Sequence, residues 1–99
     1  MFQIRWTKSA LQSQNRILRY WIKHNGSETY SKKLKAEIDA KEKLICKYPE
    51  MGSNSEFPKI KYVLIDKHFS LFYRVKFNFI EVVAFFDNRR DPNELKSEM

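Results

Sequence analysis

Glycine is nearly absent from this chain: Gly26 and Gly52 are the only two in 99 residues. A glycine-rich loop that lets backbone N–H groups cradle phosphate is therefore excluded. Cysteine is scarcer still. With Cys46 alone there is no intrachain disulfide, which suits a reducing compartment. Its place in a periodic helical stretch reads as packing. His24 and His68 are the only histidines and fall in different elements, so no His/Cys set has metal-ligand spacing. No metal and no cofactor is expected. There is no nucleophile elbow. Long apolar runs are missing too. The richest, 79–86, is broken by Glu81 and is far shorter than the about 20 residues a membrane helix needs. The opening MFQIRWTKSA lacks the apolar core of a secretion signal. The expectation is a soluble, cytoplasmic protein without membrane contact.

What is present is a core-forming composition, 42% hydrophobic and 15% aromatic, which rules out a disordered tail. The length fits one domain over residues 1–99. A domain of this size builds one compact core and leaves no room for a deep cavity, so chemistry is expected in a shallow groove. The formal charge is +7 and unevenly placed. Residues 1–49 hold 11 Lys/Arg against 4 Asp/Glu, and residues 50–99 hold 8 against 8. Such a field favours a polyanion, either nucleic acid or an acidic protein segment.

Residues 2–6 alternate apolar and polar, as a short half-buried strand does. Thr7 or Ser9 can cap a helix whose apolar stripe runs through Leu11, Ile17, Leu18, Trp21 and Ile22. Asn25-Gly26 stops it. A second helix follows from Ser27, with Tyr30, Leu34, Ile38, Ile45 and Tyr48 inward and its lysines outward, until Pro49. So short a turn makes the pair an antiparallel hairpin. Glu37, Asp39 and Glu42, among lysines, read as surface ion pairs. After a loop over 49–58, residues 59–65, 68–76 and 79–86 are rich in β-branched and aromatic types. Their short connections predict an antiparallel meander. The fold class is α+β, with the N-terminal strand and the meander making a four-stranded sheet under the helical hairpin. The tail can add a short helix.

Two basic pairs stand out. Lys59 and Lys61, two apart, would share one face of a strand. Arg89 and Arg90 leave the last strand directly, and the arginine fork suits bidentate contact with phosphate. Either they serve an anion, or the lysines protect an edge and the arginines pair with Asp87 and Asp91.

The element order resembles that of the RelE/ParE toxins. Three segments carry the likeness: residues 9–24 with the family's first helix, Phe-Ser-Leu-Phe-Tyr-Arg-Val at 69–75 with its central strand, and Val82 to Leu95 with its final strand and Arg-Arg-Asp-Pro exit. The resemblance implies a toxin held inactive by a cognate antitoxin in a hetero-oligomer. RelE-like members cut mRNA on the ribosome without a metal, whereas ParE-like members inhibit DNA gyrase. Lys59-Ile-Lys61 resembles the Lys-x-Lys of the nucleases, and Arg89 or Arg90 their late arginine. In that mechanism the arginines would stabilise phosphate and the lysines position the strand. One lysine, or His68 as reserve, would take the 2′-hydroxyl proton. The sequence departs from the pattern at Ser70, where RelE has arginine, and in having no tyrosine after Tyr73. The leading expectation is ribosome-dependent mRNA cleavage by a metal-independent endoribonuclease. Gyrase inhibition, and a non-toxic nucleic-acid-binding module, stand as alternatives.

Overall fold

The computed structural model describes residues 2–99. Strand β1 (Gln3–Trp6) leads into α1 (Lys8–Asn25) and α2 (Thr29–Lys47). Strands β2 (Ser53–Asn54), β3 (Lys61–Ile65), β4 (Phe69–Val75) and β5 (Phe79–Asp87) follow, with short 3-10 helices at Pro49–Met51 and Pro92–Glu98. The sheet order is β1-β5-β4-β3-β2. It has five strands rather than the expected four: Ser53-Asn54 adds a two-residue edge against Tyr62 and Lys61. A two-residue strand is too short to show a period of two, so composition hides it.

Local chemistry sets the helix ends. The Thr7 hydroxyl accepts from the Ala10 N–H at 3.1 Å and caps α1. Gly26 ends it at φ +63°, a left-handed conformation in which a β-carbon would be strained. The α2 helix starts at Thr29 rather than Ser27, because the Ser27 hydroxyl accepts from the Thr29 N–H. Between β3 and β4, Asp66 and Lys67 both have positive φ, the signature of a two-residue type I′ hairpin turn.

Both faces of the sheet are covered, unequally. On one, α1 and α2 close a core of Ile17, Leu34, Ile38 and Ile45 over Val63, Ile65, Phe69, Leu71, Tyr73, Ile80, Val82 and Phe85. Phe69 stacks on Phe85 at 5.6 Å between centroids. On the other, loop residues Phe57 and Ile60 and the tail's Leu95 cover Tyr62, Phe72, Val83, Ala84 and Phe86. A register shift between Phe72 and Tyr73 skips Val83, so that Ile80 and Val82 before it and Phe85 after it all join the helix-side core.

Three expectations about the helices change. Leu11 is 45% exposed, and α1 instead buries Ala10, Ser13, Gln14 and Ile17. The Ser13 hydroxyl donates to a Glu98 carboxylate oxygen at 2.5 Å, so the tail satisfies a polar residue that pattern alone would leave outside. Tyr48, expected inside, is exposed. Glu37 and Glu42 are not surface ion pairs: they accept from the Asp66 N–H and the Trp6 indole N–H, each at 2.5 Å, and tie α2 to the sheet. Asp39 does pair on the surface, with Lys35.

The Tyr30 hydroxyl donates to the Asp66 carboxylate at 2.5 Å beside this turn. Burial first, then that bond and charge, pushes the phenol up to about 12 from 10.0. A folded pKa above the unfolded one stabilises fully below pH 10 and is lost as pH rises towards 12. Comparing urea midpoints of the wild type and Tyr30→Phe, the gap should be constant up to about pH 9 and then narrow. A gap that widens with alkalinity would contradict this linkage.

Candidate functional site

The exit of β5 is where the cations and aromatics gather. A cleft of about 420 Å³ opens there, lined by Arg16, Ile17, Tyr20 and Trp21 of α1 and by Asp87, Arg89 and Arg90. Helical spacing puts Arg16 and Tyr20 on one face, and His24 extends it with its ring stacked on Tyr20 at 5.4 Å. Trp21 is edge-on to Tyr20, His24 and Tyr30.

The two arginines go to opposite sides of the sheet end. Arg89 lies over the Trp21 and Phe69 rings at 5.3 and 5.6 Å, on the helix-covered face. Its Nε and Nη2 donate to the two oxygens of Asp87, both at 2.9 Å, and its backbone N–H adds a third bond. Burial pushes the Asp87 carboxyl up, but the Arg89 bonds outweigh it and hold the carboxyl below its ordinary value. The Asp87 bond in turn raises the Arg89 guanidinium. Arg90 lies over Phe86 at 5.1 Å and binds the tail through Glu94, with Glu98 at 3.8 Å. The second Glu98 oxygen is buried without a hydrogen bond. Arg16 donates to the Ser13 hydroxyl and, among the described residues, has no carboxylate partner.

The expected site residues are not brought together. Lys59 does not belong to β3; it sits in the preceding loop at φ +64°, so Lys59 and Lys61 share no strand face. Lys61 starts β3 opposite Tyr73 and is held by Asn54 at 3.0 Å and Glu50 at 3.5 Å. Asp87 lies in the row of Ile65 and Phe69, four positions along from Lys61. At about 3.3 Å per residue that is about 13 Å, and Arg89 lies beyond it. His68 does share the arginine end: its carbonyl accepts from the Asn88 N–H at 2.8 Å, and its side chain is exposed. Ser70 is buried on the other face, where its hydroxyl donates to Asn88.

Sequence reasoning missed Arg16 and Tyr20 as lining residues, although the spacing Arg16, Tyr20, His24 was there to be read. The cleft can hold an anion against a flat aromatic wall. Among the described residues, its one carboxylate, Asp87, has both oxygens bound by Arg89 and is poorly placed to take a proton. No group of three or more His, Cys, Asp or Glu that could hold a metal occurs among the described residues. Nor is any described helix long and apolar enough to cross a membrane.

Among solved structures the chain is similar to one described as the chromosomal ParDE TA system from P. aeruginosa. The TM-score is 0.74 at 21% identity, over 88% of this chain and 96% of that one. No curated protein matches in sequence. The profile of the ParE toxin of the type II toxin–antitoxin system parDE matches residues 4–92. That match takes in both long helices, β2 to β5 and all of β1 but its first residue, and the chain therefore belongs to the ParE family of type II toxin–antitoxin toxins.

Proposed function

We propose that this toxin acts by binding its target rather than by cutting RNA, and that the target is DNA gyrase, as the ParE branch implies. The observation that supports this most is the separation of the cations. The backbones of Lys61 and Arg89 stand at least about 13 Å apart along the sheet, so their side chains would converge on one phosphate only by both extending towards it and leaving their present partners. Each is already held by carboxylates or an amide of the chain itself. A nuclease needs cations and a base converging on one phosphate. A binding toxin needs anchors, and arginines backed by aromatic rings are common anchors at protein interfaces.

The partner that restrains it is a small antitoxin with an acidic segment that folds on binding. The basic cleft at the end of β5 suits such a segment, and the complex is a hetero-oligomer. A short reading frame with an acidic C-terminal half beside this gene is the expected neighbour.

Ribosome-dependent mRNA cleavage is the second reading, favoured by His68 and Arg89 sharing one end of the sheet. One induction experiment separates them. Plasmid supercoiling, DNA breaks, protein synthesis and mRNA 5′ ends are followed together. Early loss of supercoiling with intact mRNA is expected. Codon-phased mRNA ends with normal supercoiling would overturn gyrase as the target and restore cleavage. Purified gyrase that supercoils normally in excess toxin would also count against it.

A further inference from the structure

The sheet face opposite the helices is only half covered. Leu95, Phe57 and Ile60 close the end that carries Phe72, Ala84 and Phe86. The other end lies open, towards the β4–β5 turn Lys76-Phe77-Asn78. Phe77 in that turn is 98% exposed, the most exposed large hydrophobic residue described. A phenylalanine in water gains nothing for the fold, so it contributes no stability that would explain its place. The strand ends beside it carry Arg74 on β4 and Phe79 and Glu81 on β5, with Arg5 on the adjoining β1. The register pairs Arg5 with Glu81 and Arg74 with Glu81, so the three form one row across β1, β5 and β4. The Arg5 guanidinium lies 4.6 Å over the Phe79 ring. Arg74 is bound by Glu81 at 2.7 Å. Lys76 follows Arg74 by two residues, and neither Lys76 nor Arg5 takes part in a described ion pair. This end of the sheet thus carries three cations and one carboxylate, together with the rings of Phe77 and Phe79.

We propose that this open end of the sheet is a second binding site, for single-stranded nucleic acid. Phe77 stacks on one base, Arg5 on its Phe79 support stacks on or beside the next, and Lys76 with Arg74 takes the phosphates. Each part follows from general chemistry. Every base has a π-face, so stacking on aromatic rings tolerates any sequence. A guanidinium plane offers stacking and phosphate contact together. An apolar pocket of a protein would accept Phe77 but leave Arg5 and Lys76 unpaired at its rim. The charge of the patch therefore favours a polyanion. The site is independent of the arginine cleft. From Phe79 to Asp87 the strand runs about 26 Å, and the two sites lie at its opposite ends. It therefore holds whether or not gyrase is the target.

The test is fluorescence anisotropy of the purified chain with labelled 12-nucleotide oligo-dT, oligo-U and the corresponding duplex, over a salt series. Both single strands should bind at low salt and the duplex more weakly; preference between dT and U identifies the sugar the site accepts. Phe77→Ala, which cannot disturb a core it does not touch, should weaken binding about tenfold or more. Arg5→Gln with Lys76→Gln should weaken it similarly and flatten the salt slope by roughly one unit or more. Lys23→Gln with Lys33→Gln removes the same charge from the helical layer and should change little. No anisotropy change up to about 100 µM protein at low salt would overturn the site. So would equal losses in the two charge variants with none in Phe77→Ala, because that pattern means diffuse attraction. Loss of toxicity in Phe77→Ala without any oligonucleotide binding would assign the tip to a protein partner and likewise overturn it.

Discussion

Replacing Arg89 and Arg90 together with Ala should abolish growth arrest while leaving a folded chain. A hot-spot arginine at an interface is worth about 2–4 kcal/mol, so the double variant should lose target inhibition by more than about 100-fold. The fold has less at stake. The Arg89–Asp87 pair is half exposed on the arginine side, and exposed ion pairs contribute about 0–1 kcal/mol. The contacts over Trp21 and Phe69 add about 0.5–1 kcal/mol. With the pair between Arg90 and Glu94 counted on the same scale, the total is about 1–3 kcal/mol, so a thermal melt should fall by roughly 5–20 °C and stay cooperative. The Lys, Lys variant should recover part of the activity at most, because an ammonium keeps the charge but cannot form the planar fork that meets two oxygens at once. Undiminished arrest by the Ala, Ala variant would remove the β5 exit from the functional surface.

The largest effect on stability is expected at Tyr73. Its ring is fully buried in the centre of the sheet, and its hydroxyl donates to the Pro49 carbonyl at 2.8 Å and accepts from the Gly52 N–H at 3.0 Å. One side chain thus fixes the segment that leaves α2 and returns as β2. Tyr73→Phe keeps the packing and strands both backbone groups, which costs about 1–3 kcal/mol. Tyr73→Ala adds a cavity and should cost about 3–5 kcal/mol. Gly52→Ala should resemble the first of these for a steric reason: its β-carbon would lie 2.6 Å from the Tyr73 hydroxyl oxygen. Urea unfolding measures all three. A Tyr73→Phe variant as stable as the wild type would mean that water satisfies Pro49 and Gly52 equally well.

Much of this architecture was legible from residue order. Thr7, Gly26 and the Asp66-Lys67 turn act through local backbone chemistry, so the helix limits and the hairpin follow from a few neighbours. The strands of the meander announce themselves through runs such as Phe-Ser-Leu-Phe-Tyr. Lys59 was misplaced because its left-handed backbone conformation leaves no mark in composition. Leu11 was misplaced because α1 turns Ser13 and Gln14 inward, and only the distant Glu98 makes the Ser13 position tolerable. The cleft escaped for a similar reason. Its lining comes from α1 and the β5 exit, which the chain separates by most of its length. Spacing within one element cannot reveal a partner in another.

The parallel pairing of β1 with β5 also sets an order in time. The first strand made finds its partner only when residues 79–82 exist. At about 5–20 residues per second, the ribosome needs on the order of ten seconds to reach them. Until then β1 and the helical hairpin lack β5, the strand on which both pack. The arginine exit is synthesised later still, so the nascent chain carries no assembled cleft. If the cleft is the functional surface, as proposed above, that surface is assembled only after β5 and its exit have been made. A partner that recognises the finished cleft has nothing to hold before release. One that recognises the waiting hairpin can intercept the chain before it has ever been toxic.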